Sequence, residues 1–160
     1  DKLKVLPSGR RVTIASIETY GGRLKEAFAP QSVAVALTED IALRRGQMLV
    51  REHNAPRRSR DLEAMLCWLS KKRLSRRGRY ILRHTTRETR CSGQVRYKLD
   101  VRTLHRRRGV TTLGYNDIGR VRLRAAQPLF FDSYRRNKTT GSLILIDEKT
   151  GQTLAAGMIL

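Results

Sequence analysis

Gly141-Ser-Leu-Ile-Leu-Ile-Asp147 and Thr153-Leu-Ala-Ala-Gly-Met-Ile159, separated by Glu148-Lys-Thr-Gly-Gln152, decide the fold of this chain. Two apolar runs of strand length flank a short polar connection, the pattern of a β-hairpin. Gly151 supplies a turn residue that takes positive φ at no steric cost. Gly141 and Gly157 sit where a backbone bends or makes a close approach. Pro128-Leu-Phe-Phe-Asp-Ser-Tyr134 and the polar stretch Arg135-Arg-Asn-Lys-Thr-Thr140 lead into it.

Working upstream from the hairpin, alternation with a period of two dominates and helical periodicity is scarce. Ile118-Gly-Arg-Val-Arg-Leu-Arg124 sets Val121 and Leu123 against arginines, which places those arginines on one solvent face. Tyr80 to His84 and Arg90 to Tyr97 predict a hairpin around Thr85-Thr-Arg-Glu-Thr89. Leu62 to Leu69 reads as a strand, because its surroundings are β and the run is short for a helix. Leu3 to Val5, Arg10 to Ile17, Ser32 to Leu37 and Gln47 to Val50 are the N-terminal strands. The large–small alternation of Ser32 to Leu37 predicts a strand facing a tight barrel interior. Short strands at close spacing imply closed β-barrels. Residues 53–60 are polar, contain Pro56 and lack periodicity, so they are the expected linker. The expected organisation is a partial barrel over residues 1–52 and a complete one over 61–160.

The 160 residues carry 34 Lys/Arg against 14 Asp/Glu, a net charge of +20. The charge is uneven: residues 51–128 hold 22 basic and 6 acidic side chains, whereas the hairpin segment 129–160 holds 4 and 3. Such a field attracts phosphate, nucleic acid or an acidic protein surface, and it also arises when arginines simply occupy solvent-facing strand positions. Arg57, Arg58, Arg76, Arg77, Arg106, Arg107 and Arg108 are the candidate partner or polyanion surface. Tyr80, Tyr97, Tyr115 and Tyr134 interleave with arginine and could stack bases, with barrel core or rim as the plainer assignment. Cys67, Cys91, His53, His84 and His105 lack metal-ligand spacing. Cys67, beside Trp68 in an apolar run, reads as a core thiol, and His84 as a half-buried hydrogen-bonding residue. No nucleophile or acid–base motif is visible, so no catalytic, cofactor or metal residue is assigned.

No apolar run approaches the ~18 residues of a membrane span, and two cysteines make no disulfide framework. Both favour a reducing, cytoplasmic setting with no membrane partner. The start, Asp1-Lys-Leu-Lys-Val, reads as a chain entered in mid-element, which predicts a preceding segment.

Several blocks together resemble the large, GTP-binding subunit of bacterial sulfate adenylyltransferase, a relative of elongation factor Tu. They are Val5-Leu-Pro-Ser-Gly9, Glu26-Ala-Phe28, Ser32 to Ile41 with Arg45-Gly46, Val95-Arg-Tyr97 with Asp100, Asn116-Asp-Ile-Gly119, and Asp132-Ser-Tyr134 through Gly157-Met158. That resemblance implies an all-β fold of two elongation-factor-Tu-like barrels, the first incomplete, following a GTPase domain. No Gly-x-x-x-x-Gly-Lys-Ser/Thr phosphate loop is present, and Asn137-Lys-Thr-Thr140 lacks the carboxylate that reads guanine. GTP and Mg are therefore expected only in the preceding GTPase domain. The implied role is docking and coupling, with the small catalytic subunit and that GTPase domain as partners. A nucleic-acid-binding barrel and a docking module for an acidic protein surface are the alternatives.

Overall fold

The computed structural model describes residues 1–160 as two compact units, Asp1–Ala55 and Pro56–Leu160, built from strands without a helix.

The first unit holds β1 (Lys2–Leu6), β2 (Arg11–Thr19), β3 (Gly22–Leu24), β4 (Ala34–Leu37) and β5 (Met48–Arg51). The path β3-β2-β1-β5 is open, with β4 paired to β2, so this is a half-barrel. Pro7-Ser8-Gly9 turns β1 into β2, and Gly9 has φ 76° while its amide donates to the Val5 carbonyl at 2.7 Å. Val5, Leu6 and Val12 are the buried apolar residues of this unit. The strand expected to face a tight interior differs in the structure: β4 begins at Ala34 and is exposed over Ala34–Ala36. Its alternation is real, but β4 pairs only with β2, and packing depends on what lies across the sheet.

The second unit holds β6 (Arg57–Trp68), β7 (Tyr80–His84), β8 (Arg87–Leu99), β9 (Arg106–Arg107), β10 (Ile118–Phe131), β11 (Ser142–Asp147) and β12 (Thr153–Ile159). The order β10-β6-β12-β11-β7-β8 closes on itself through the β10–β8 pairing, and β9 extends β8. Every pairing is antiparallel. Closure removes the free edges and leaves one inward face per strand. Inward positions recur every second residue: Leu62, Ala64, Leu66 and Trp68 on β6, and Val121, Leu123 and Ala125 on β10. Trp68 is fully buried, donates its indole N–H to the Lys72 carbonyl at 2.7 Å, and meets Tyr80 edge-on with ring centroids 5.9 Å apart.

Two expectations change here. Residues 57–60, expected in the linker, are the start of β6, because Phe131, Phe130 and Leu129 pair with Arg57, Arg58 and Ser59. Partners distant in sequence make a strand of a stretch with no periodicity of its own. The β7–β8 connection is also shorter than expected, with β8 starting at Arg87 and Thr85 at φ 51°.

The C-terminal hairpin forms as β11 and β12, with Ile144 opposite Ala156 and Leu145 opposite Ala155. Asp147 organises its turn. Its carboxylate accepts from the amides of Lys149 (2.9 Å) and Thr150 (3.0 Å) and from Lys72 Nζ (3.0 Å). These donors, Lys72 first, hold its carboxyl down at about 2. Gly151 has φ 72°. Gly157 is a close approach: a Cβ there would press on Leu66 and lie 3.1 Å from Leu143.

Candidate functional site

The outward residues of β8, β10 and β6 make a strongly charged face of the second unit. Alternation that buries Val121 and Leu123 turns Arg120, Arg122 and Arg124 outward on β10. Register places Arg124 between Ser92 and Asp61, Arg122 between Gln94 and Glu63, and Arg120 between Tyr97 and Met65. Neighbouring strands lie ~4.8 Å apart, so these side chains meet in rows. Glu63 is the hub. It accepts from Arg120 Nε at 2.6 Å and lies 3.9 Å from Arg96 Nε, while Arg122 reaches Asp61 at 3.3 Å. The Glu63 hydrogen bond raises the Arg120 pKa further, so its charge is permanent.

Four of the seven candidate arginines line grooves along this face. Arg57 lines one with Asp61, Glu63, Arg120 and Arg122. Arg106 and Arg108 line the next with Arg96 and Arg120, and Arg76 lines a third with Ser92, Gln94 and Arg124. Arg106 lies over the Tyr97 ring at 5.1 Å, a cation–π contact that fixes its direction. Arg107 is held at 2.6 Å by Asp100. Asp100 also accepts from the Thr103 and Arg102 amides, and these bonds with Arg107 lower its pKa. Arg58 and Arg77 are exposed without lining any of these three grooves. Sequence reading singled out runs of consecutive arginines. The centre of the face is instead Arg120, Arg122, Arg124 and Arg96 with Glu63 and Asp61, and the signal for it was the alternation in 118–124.

The other singled-out residues are scattered. Cys67 is corrected: it points outward between buried Leu66 and Trp68, and Cys91 is the core thiol, pushed up to about 12 by burial. His84 is buried rather than half-buried. Its Nε2 meets the Thr140 carbonyl at 2.7 Å, and desolvation lowers its pKa. Thr140 Oγ1 in turn donates to Asp132 at 2.8 Å, so His84 anchors the lead-in to the hairpin. Tyr80 is core, with its hydroxyl on the Ser75 backbone and its pKa raised by burial. Tyr115 is exposed in a connection, and Tyr134 packs its backbone against Gly141. The four tyrosines form no common platform.

A face of fixed guanidinium groups, partly countered by two carboxylates, has the donors to hold an anionic surface through planar, bidentate hydrogen bonds. Its charge suits docking.

Residues 61–160 match the family described as GTP-eEF1A C-terminal domain-like. The whole chain is 44% identical, over 162 residues, to the bifunctional enzyme CysN/CysC of Mycobacterium tuberculosis strain H37Rv, of which it spans 26%. It is 42% identical over 161 residues to sulfate adenylyltransferase subunit 1 of Bacteroides fragilis strain YCH46, of which it spans 34%. Among solved structures, sup35 complexed with GDP superposes on all of this chain with a TM-score of 0.89 at 16% identity, over 40% of that chain, a likeness of fold alone.

Proposed function

Because the chain belongs to the GTP-eEF1A C-terminal domain-like family, we propose that it forms the C-terminal β-barrels of a sulfate adenylyltransferase GTPase subunit. The observation that carries this reading is that identity to subunit 1 of that enzyme runs through all of this chain, half-barrel and closed barrel alike. The parent activity is then the joining of ATP and sulfate into adenylyl sulfate and diphosphate, in sulfate assimilation. GTP and Mg belong to a GTPase domain outside these 160 residues. The barrels carry no catalytic residue; they dock the small catalytic subunit and pass on the state of the GTPase domain.

A closed, densely packed barrel suits that task. It moves as a body rather than deforming, so a change at one surface is delivered at another. The Arg120–Arg122–Glu63 face is the docking surface, and its charge speeds encounter with an acidic partner. Two free thiols fit a cytoplasmic location, and no helix is long and apolar enough to cross a membrane.

The test is association of the full-length subunit with its small subunit. Reversing Arg57, Arg120 and Arg122 to Glu should slow association about tenfold or more at low salt. Unchanged rates would remove the docking assignment. Calorimetry of the 160-residue chain with GTP should give no binding heat, and saturable binding would overturn the non-catalytic reading.

A further inference from the structure

We propose that the shallow surface groove beside the β10 bulge, around Arg60, Arg79 and Arg124, is a binding site for a small anion carrying two or three linked phosphates. This goes beyond the docking role and does not depend on it. The groove has a structural origin. Between the pairs Arg124–Asp61 and Leu129–Ser59, β10 runs through residues 125–128 while β6 supplies only Arg60. The extra length bulges the wall and opens a groove lined by Arg60, Arg79, Arg90 and Arg124, with Ser92 and Ala125 at its surface. The bulge is braced: the Gln127 amide donates to Thr89 Oγ1 at 3.2 Å, and Arg87 donates to Gln127 Oε1 at 3.0 Å.

The charge of this groove differs from that of the centre of the face, although Arg57, Arg106 and Arg108 in the other grooves also lack a carboxylate within 4.0 Å. Arg96, Arg120 and Arg122 each have a carboxylate, as does Arg90 through Glu148 at 2.6 Å. Arg60, Arg79 and Arg124 have none within 4.0 Å, although all are exposed and in one groove. Arg76 adds a further guanidinium where the neighbouring groove shares Arg124 and Ser92, and the one carboxylate there, Asp61, is already engaged by Arg122. Gathered like charges repel, and a bound polyanion relieves that repulsion while satisfying several N–H donors. Arg79, just before β7, and Arg124 on β10 flank β8, so they stand two strand spacings or roughly 10 Å apart, wider than one tetrahedral anion, which favours linked phosphates. Tyr80 of this sheet is buried and Tyr97 is covered by Arg106, so the face offers no free ring for stacking bases.

The probe is tripolyphosphate, titrated calorimetrically into the 160-residue chain at 0.15 M salt, beside inorganic phosphate and an oligo-uridine strand. Tripolyphosphate should bind saturably and at least about tenfold more tightly than phosphate. Arg60→Gln/Arg124→Gln should weaken it about tenfold or more. Arg44→Gln/Arg45→Gln, with the same charge loss at residues that do not line the groove, should change it less than about twofold. Arg60→Lys/Arg124→Lys keeps both charges without the planar fork and should weaken binding about threefold, a readout that survives if the Gln pair melts early. Equal losses in the two Gln pairs, equal affinity for phosphate and tripolyphosphate, unchanged affinity in the Lys pair, or binding of the oligo-uridine alone would each overturn the site.

Discussion

The half-barrel of Asp1–Ala55 and the closed barrel of Pro56–Leu160 use the same local code and reach different results. Both alternate with a period of two. The first buries Val5, Leu6 and Val12, whereas the second encloses a cluster running from Leu62 through Trp68, Leu123 and Leu145 to Ile159. The difference lies in the β10–β8 pairing, which turns a sheet into a ring and gives every inward side chain a partner across the interior. Alternation makes a face; closure makes a core.

Four measurements sharpen or break that contrast. The largest effect is expected at Trp68. Trp68→Ala should cost the closed barrel about 3–5 kcal/mol in denaturant unfolding followed by far-UV circular dichroism. Val12→Ala should cost the half-barrel only about 1–2 kcal/mol, at ~0.8 kcal/mol per buried carbon. Equal costs would erase the distinction. Trp68 is also the sole tryptophan, so fluorescence reports the closed barrel alone.

Next is Gly157. A methyl group there crowds Leu66 and Leu143, so Gly157→Ala should cost about 1–3 kcal/mol of overpacking in the same assay. A neutral result would mean that the hairpin can shift away from β6.

His84→Leu should cost about 1–2 kcal/mol, because it removes the shorter of two hydrogen bonds to the Thr140 carbonyl, which keeps only the Asp132 amide at 3.3 Å. Burial lowers the His84 pKa from 6.5 in the fold, so the unfolded chain binds the proton first. Wild-type stability should therefore decline as pH falls below 6.5, and the variant should lack that portion of the decline.

The smallest effect is at Asp147. Its folded pKa of about 2 lies below its ordinary 3.8, so its contribution is complete above 3.8 and is lost as pH falls towards 2. Asp147→Asn should be less stable than wild type at neutral pH and converge with it in acid. An unchanged gap at pH 2 would show that the turn does not depend on the charge.

The candidate face was half legible. The alternation of Arg120, Arg122 and Arg124 announces outward arginines, but nothing local says that Glu63 and Asp61 stand beside them. Runs such as Arg106–Arg108 draw attention through density, yet consecutive strand residues point in opposite directions, and Arg107 leaves for Asp100 while its neighbours face the groove. Cys67 shows the same limit. Its apolar neighbours suggested burial, but alternation between Leu66 and Trp68 puts it outside.

The sequence by itself determined the β class, the closing hairpin with its Gly151 turn, and the inward pair Val121 and Leu123, because side-chain alternation and positive-φ turn residues are local properties of the backbone. Tertiary structure alone decided that residues 57–60 are strand, that β4 stays exposed, that β10 returns to β8, and that Arg60, Arg79 and Arg124 share one groove. Each of these depends on hydrogen bonds or side-chain proximity between residues dozens of positions apart, and no local pattern encodes such pairings.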